Sequence, residues 1–444
     1  MRSIYKQHLQ TLQNNFESAL EQNNFDGVLI YSGHHSYGFR DDNAYPFKTN
    51  PHFKYWLPLT KQQKSFVLIQ TGKKPHLFLH QELDIWHAQP DLPKGEWQQH
   101  FDLTLISNVS QVKDFVKNKV QTLAYIGEPL TDDTDTSLGK INPALLINHI
   151  EYERAYKTEY EMECLRTANL MAAKAHIVAK EGFYAGKTEM EIHQAYLASL
   201  GVREFELPYN NIIAFNHNAS VLHYDNYQVT NPEQRLSFLI DAGAEFNGYN
   251  ADISRTYLNE ANLNGTNLNK ASEFQQMFDA YQVEYFDLLS EIEVDKEYFS
   301  FHDSAHKRIA KLLSEFDIVK CTPQQTYEKG YSQLFFPCGV GHYIGTQVHD
   351  VGGHFANKSG ELLTKDSRYP YLRLLRKMEK QTVFTVEPGI YFINQLLETV
   401  KDNSDFNWSR LEQFKPYGGF RLEDSIAMNN GNIENLAVDA FNKL

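Results

Sequence analysis

The stretch SFLIDAGAEFNGYNADISRTY, residues 237–257, constrains the folding of this chain most tightly. Asn247-Gly248 is a strong signal for a two-residue hairpin turn, where both central residues need φ > 0. With that turn, Phe246 faces Tyr249 and Gly243 faces Asp252. Asp241, two residues from Gly243, then points to the same face. Asp241 and Asp252 become diagonal neighbours, roughly 7–8 Å apart at their α-carbons and within joint reach of an ion. Gly243 leaves room opposite Asp252, and a bulge would change this register. Asp241 also ends the apolar run Phe238-Leu239-Ile240, where a carboxylate must be paired, protonated or bound to a metal. Either aspartate alone also reads as a strand-end residue capping a turn. Two on one face admit a metal site.

The rest of the chain organises around this hairpin. Up to about residue 155, short β-rich runs (DGVLIYSG, SFVLIQTG, PHLFLHQ, LTLIS, TLAYIG) alternate with helical patterns, starting with SIYKQHLQTLQNNFESALEQN. That makes a complete small α/β domain. Beyond it, YKTEYEMECLRTANLMAAKAHIVAKEGF reads as one long helix. TEMEIHQAYLASLG reads as a second, with Thr188 as N-cap and Glu191 three residues on. The strand signals NIIAFN and the hairpin follow, then helices around 268–291 and 302–314, then the strand-rich segments TVFTVEPGIYF and GGFRLEDSIAM. A boundary is expected near 155, with a larger α+β domain after it.

Composition narrows the function. The chain has 444 residues, 42% apolar and 22% charged, with a formal net charge of −14. That balance disfavours nucleic acid as the main partner, since phosphate binding needs clustered Lys and Arg. Cys164, Cys321 and Cys338 are too few and too scattered for a disulfide framework. No apolar run has signal-peptide or membrane-span length. The expectation is a cytoplasmic enzyme with no membrane association.

Further polar residues stand in distinctive places. Glu387 ends an apolar strand in FTVEPG. Arg421 and Glu423, in GFRLEDSI, share a face by period two. His342 lies between Gly341 and Gly345, which permit sharp turns or close approach, and His349-Asp350 follows. Taken singly, these are also readable as a strand-end charge, a surface ion pair and buried or loop histidines. Together, Asp241, Asp252, His342, Glu387 and Glu423 make four carboxylates and one imidazole. Such oxygen-rich sets suit Mn²⁺, Co²⁺, Mg²⁺ or Zn²⁺, and two ions better than one. Two ions can hold a bridging hydroxide and polarise a carbonyl.

These five residues, in DAGAEFNGYNADISRTY, GVGHYIGTQVHDVGG, VEPGIY and GGFRLED, match in order and context the metal ligands of the pita-bread metallopeptidases. DDNAYPFKTNPHFKYWLPL and YKTEYEMECLRTAN narrow the resemblance to the bacterial Xaa-Pro dipeptidases (prolidases), a subgroup that includes organophosphorus acid anhydrolases. The resemblance implies an α+β chain: a creatinase-like α/β domain at 1–155, then a pita-bread catalytic domain at 156–444. It implies a homodimer and two divalent ions per subunit, usually Mn²⁺, with Co²⁺ or Zn²⁺ as alternatives. Asp252 and Glu423 would bridge both ions. Asp241 would complete one, and His342 and Glu387 the other. His223 in VLHYDN, His349, Arg421 and Tyr209 in LPYNNI match residues beside the substrate. Asp42 in RDDNAYPF resembles one that reaches a neighbouring subunit's site.

The implied reaction is hydrolysis of Xaa-Pro dipeptides, in which a hydroxide attacks the scissile carbonyl and Glu387 carries a proton. His223, His349 and Arg421 would hold the proline carboxylate or the developing oxyanion. Phosphotriester hydrolysis would be a side activity. One position departs from the prolidase pattern His-Gly-x-Gly-His: here it reads Cys338-Gly-Val-Gly-His342. A thiol is a weaker donor than imidazole and titrates higher, so reduced or redirected activity is expected from Cys338. Two competing readings are release of the residue before proline, as in aminopeptidase P, and a catalytically weak peptide-binding scaffold.

Overall fold

The structure is a computed structural model. It describes residues 2–81, 85, 92–117, 119–130, 138–259, 268–429 and 431–444. The chain divides into two compact units. The first comprises 1–164, 246–249 and 355–362, and the second 165–245, 250–354 and 363–444.

The first unit is built on a six-stranded mixed sheet. Its order is Asp102–Ile106, His76–His80, Phe66–Gln70, Gly27–Tyr31, Leu123–Ile126, Lys140–Ile141. Gly27–Tyr31 pairs antiparallel with Phe66–Gln70 and parallel with Leu123–Ile126. All five residues of Gly27–Tyr31 are buried, as a central strand covered on both faces requires. Helix Ser110–Lys117 sends Val112 and Val116 into a core with Leu29, Phe66, Leu68, Phe78 and Tyr125.

In the second unit, Ser237–Asp241 lies between Ile212–Phe215 and Ser254–Leu258, antiparallel to both. Helix Glu189–Leu200 starts from the expected capping box of Thr188 and Glu191. Ile192 and Tyr196 from this helix join Ala175, Ala179, Phe183, Ile213, Phe215, Phe238 and Ile240 in one core. A second sheet orders Val383–Val386, Asp424–Asn429, Asn432–Asn435, and Gly389–Tyr391 pairs with Gly419–Arg421. No described helix is long and apolar enough to cross a membrane.

The hairpin keeps the register that its turn predicts. Asp241 stands opposite Ser254. The Ala242 N–H donates to Ile253 O at 3.0 Å, and the Ala251 N–H to Ala244 O at 2.8 Å. Asn247 and Gly248 take φ of 51° and 91°, as a type I′ turn requires. No bulge intervenes, so Gly243 does face Asp252. Its backbone is held from behind: Tyr196 Oη donates to Gly243 O at 3.1 Å, and the His176 Nε2–H to Ala242 O at 2.9 Å.

Gly243 has no space for a side chain. A Cβ there would collide with Ala251 O and sit 2.9 Å from Tyr209 Cε1. The room opposite Asp252 is thus occupied by a tyrosine ring. Gly243→Ala is expected to force the hairpin apart by about 1–3 kcal/mol, in line with overpacking. A clear fall in the unfolding temperature with a parallel loss of metal affinity is the expected result; an unchanged metal titration would show that the ring is not seated there.

Candidate metal centre

Each of the five sequence-selected ligands sits where a strand ends or two strands meet. Asp241 is the last residue of its strand, and Asp252 lies two residues before Ser254–Leu258. Glu423 falls in the break between Gly419–Arg421 and Asp424–Asn429, where it bridges Ser254. Its N–H donates to Ser254 O at 3.1 Å. That bridge fastens the hairpin to the C-terminal strands. Glu387 directly follows Val383–Val386 and precedes Pro388, which cannot continue the ladder.

His342 is placed by its loop running beside the Glu387 strand. The Thr385 N–H donates to His342 O at 2.8 Å, and the Glu387 N–H to Val340 O at 2.8 Å. A Cβ at Gly341 would collide with Thr385 O and the Tyr298 hydroxyl, so this approach needs glycine. His342 Nδ1 lies 2.9 Å from Tyr343 O. A carbonyl only accepts, so Nδ1 carries a proton, which leaves Nε2 facing the carboxylates. Nε2 is 3.5 Å from Asp252 Oδ2 and 3.4 Å from Glu387 Oε1.

The carboxylates are held by side chains that the sequence patterns single out only in part. Tyr209 Oη lies 2.8 Å from Asp241 Oδ1 and 2.5 Å from Asp252 Oδ1. A phenol has one proton, so the two carboxylates share a single donor. Arg421 is buried, and each guanidinium nitrogen has a protein partner. Nη2 donates to Asp241 Oδ2 at 2.6 Å, Nε to Ser254 Oγ at 2.8 Å and Nη1 to Tyr391 Oη at 2.8 Å. Ser254 Oγ donates to Glu423 Oε2 at 2.7 Å. The other oxygen, Glu423 Oε1, is buried with no partner. Ser254, Thr385 and Tyr391 escaped the sequence reading. The first two stand two residues from Asp252 and Glu387, so period two was the available signal.

The electrostatics are those of a crowded anionic site. Burial, against the pull of Arg421, pushes the Asp241 carboxyl up to about 6. Burial, against the pull of His342, pushes Glu387 up to about 7. Burial and the neighbouring Asp252 drive Glu423 well above the usual carboxylate range. Burial acts the same way on Asp252, but the hydrogen bond and charge of His342 outweigh it and hold that carboxyl low. Burial opposes the His342 imidazolium, yet Asp252 and Glu387 raise it above its ordinary value.

Donor atoms of Asp252, His342 and Glu423 all lie within 4.8 Å of one another. A buried oxygen without a partner, an imidazole anchored through Nδ1 with Nε2 turned to the site, and carboxylates forced toward neutrality all fit a divalent cation. One or two dications would supply the charge that Arg421 and His342 do not.

The other predicted residues lie around this set. The His349 ring is 4.4 Å from the His342 ring, at 80°, and is exposed on its far side. His223, in an exposed turn after the 3₁₀ segment Asn216–Ser220, is near enough for its charge to act on His349. Cys338 is half-buried, and its thiol feels the charges of Glu387, Arg421 and Glu423. Arg373, missed from sequence, is exposed and acts on His349 through its charge. Asp42 belongs to the first unit, in an exposed turn where its N–H donates to Asp41 Oδ1 at 2.8 Å.

Comparison with known proteins puts the chain among the metallopeptidases. The model for the Xaa-Pro dipeptidase N-terminal domain matches residues 3–152, and that for metallopeptidase family M24 matches 163–430. The chain belongs to metallopeptidase family M24, with the N-terminal domain of the Xaa-Pro dipeptidases ahead of it. Xaa-Pro dipeptidase 2 of Idiomarina loihiensis is 44% identical over 444 residues, covering 100% of this chain and 99% of the relative. Xaa-Pro dipeptidase of Pseudoalteromonas translucida is 40% identical over 436 residues, covering 98% and 97%. Among solved structures, the low-pH form of Escherichia coli aminopeptidase P aligns with a TM-score of 0.69 at 19% identity, over 99% of this chain and 96% of that one. Proline aminopeptidase P II from Yersinia pestis aligns at 0.70 and 18%, over 99% and 97%. At that identity the likeness shows the pita-bread fold alone.

Raised carboxyl pKa values give the metal-free protein a defined pH response. A carboxyl that binds its proton more tightly folded than unfolded stabilises the fold at low pH and loses that contribution as pH rises through its folded value. For Asp241 and Glu387 the window runs from the ordinary carboxyl range to about 6 and about 7. Chelated protein is therefore expected to melt lower at pH 8 than at pH 5.5. Added Mn²⁺ should raise the melting temperature more at pH 8. Glu387→Gln should flatten the metal-free pH slope, and a slope unchanged by that substitution counts against the assignment.

Proposed function

We propose that this chain hydrolyses dipeptides with a C-terminal proline. The observation that carries the reading is the buried Asp252–His342–Glu423 donor set, in a chain 44% identical end to end to an Xaa-Pro dipeptidase. Proline's amide is tertiary, without an N–H, so its cleavage needs a strong electrophilic pull on the carbonyl and a proton for the departing nitrogen.

Asp241, Asp252, His342, Glu387 and Glu423 would hold the divalent ions. Bound there, the ions supply Lewis-acid polarisation of the scissile carbonyl and lower the pKa of water to give a nucleophile at neutral pH. The remaining work falls to side chains. Glu387 is the carboxylate proposed to take a proton and return it to the proline nitrogen. Arg421 turns its donors inward onto Asp241, Ser254 and Tyr391. Its role is to fix Asp241 and balance its charge, not to reach the substrate carboxylate. That carboxylate falls to His349, His223 and Arg373, which are exposed, the last two close enough to act on His349 through their charge. Burial, with Glu387 adding to it, pushes the Cys338 thiol up to about 12. At neutral pH it is therefore S–H, a weak donor rather than a nucleophile.

The same proposal includes Mn²⁺ as the native ion, a homodimer to which Asp42 contributes, a cytoplasmic setting and a domain boundary near residue 155. Phosphotriester hydrolysis is a side activity, since a P=O can stand in for the C=O.

With Mn²⁺, Gly-Pro should be cleaved and Gly-Pro-Ala left intact; the reverse preference would favour the aminopeptidase P reading. Asp252→Asn and Glu423→Gln should each lose on the order of 10²–10³-fold in kcat or more. Ser254→Ala should lower metal affinity roughly 10–100-fold. Cys338→His should raise Xaa-Pro turnover; if turnover stays level, the missing imidazole is not what limits this enzyme.

A further inference from the structure

Glu189 is a buried ionisable group outside the metal centre whose carboxylate is fully partnered. It is the first residue of helix Glu189–Leu200, next to the N-cap Thr188, and is 1% exposed. Its carboxylate accepts four hydrogen bonds, none from its own helix. Oε1 accepts from the Phe215 N–H at 2.7 Å and Asn218 Nδ2 at 3.0 Å. Oε2 accepts from Tyr224 Oη at 2.7 Å and the Gln228 N–H at 2.8 Å. All four donors come from one segment, 215–228, whose middle carries His223. The Met190 N–H adds a backbone tie to Gln228 O at 3.2 Å.

Tyr224, adjacent to His223, is the hub of this arrangement. Its hydroxyl receives Asn218 Nδ2 at 2.9 Å and Gln228 Nε2 at 3.3 Å and shares its one proton between Glu189 Oε2 and Asn226 O, the latter at 2.6 Å. The segment is thus drawn closed at its start, middle and end onto one carboxylate. The positive end of the helix dipole favours the charge there. His223 itself is exposed, so its position is set by its neighbours rather than by packing of its own ring.

We infer that Glu189 is a positioning residue for the substrate side of the site: it staples segment 215–228 so that His223 is presented beside His349. The inference rests on the substrate-end role proposed for His223. Glu189 makes no hydrogen bond to a candidate metal ligand; the link between them runs through strand Ile212–Phe215, which pairs with the strand ending at Asp241, so metal content is read beside the kinetics. An amide at 189 would set an NH₂ group against donors that now meet an oxygen, so Glu189→Gln loosens the staple without changing size. Hydrogen bonds to a charged acceptor are the stronger kind.

The test is kinetic, on full-length protein loaded with Mn²⁺, using Gly-Pro. Glu189→Gln is expected to raise KM about tenfold or more, with kcat within about twofold and metal content unchanged. Tyr224→Phe, which keeps the ring, is expected to raise KM about threefold. In a His223→Ala background neither substitution should add to the loss. An effect that multiplies undiminished in that background, or that falls equally on kcat and metal content, overturns the inference. If His223→Ala impairs turnover but Glu189→Gln and Tyr224→Phe are silent, the staple fails and the role of His223 stands. If His223→Ala is itself silent, the reading of His223 fails and the inference falls with it. Should Glu189→Gln not fold, the Tyr224→Phe pair with and without His223 decides alone.

Discussion

Four carboxylates share one buried space with one guanidinium and one imidazole, and much of the second unit follows from that imbalance. Asp241, Asp252, Glu387 and Glu423 cannot all ionise against Arg421 and His342 alone, because buried like charges raise each other's pKa. The surroundings respond with donors. Tyr209 is placed between two aspartates, Ser254 on Glu423 and Arg421 on Asp241. Even so, Glu423 Oε1 is left without a partner. The fold therefore builds a site that is complete only with cations, and metal binding should contribute directly to its stability.

Geometry makes that concentration of charge achievable. Strand ends expose carboxylates without breaking a ladder, and Asp241, Glu387 and Glu423 all use one. Glycines at 243 and 341 let other groups come close: a tyrosine ring over the hairpin, and the histidine loop against the Glu387 strand. The Ser254–Glu423 bridge then joins two sheets that the sequence separates widely. A methyl group at either glycine would disturb the site more than most changes of a surface charge.

The hairpin was legible because its signal is local. Asn247-Gly248 fixes the turn, the turn fixes the register, and period two puts Asp241 and Asp252 on one face. Strand and helix patterns were legible for the same reason. Convergence of Glu387, Glu423 and His342 on that face was not, since nothing in their local spacing encodes a bridge between residues 254 and 423; only the motif resemblance suggested it. Arg421 shows a second limit. Period two correctly put it beside Glu423, but that its guanidinium turns inward depends on Ser254 and Tyr391, one of them 167 residues away. Arg373 carries no pattern at all: it is an arginine in an irregular segment, notable only for lying near His349.

The candidate metal ligands and the residues proposed for the substrate side differ in how they are held, and this bears on what can vary. The ligands ride on paired strands or on a loop bonded to one, with their side chains pinned by further hydrogen bonds. His223, His349, Cys338 and Arg373 sit on turns and loops, all but Cys338 exposed. Loops on a rigid scaffold accept substitution at low cost to the fold, and function is set by such grafted positions rather than by the fold. A histidine-to-cysteine change at 338 can thus alter proton handling or substrate fit while the cation site survives. The architecture is likewise shared with aminopeptidase P at 18–19% identity, as expected where strands that carry the candidate ligands are kept and the loops around them are free to vary.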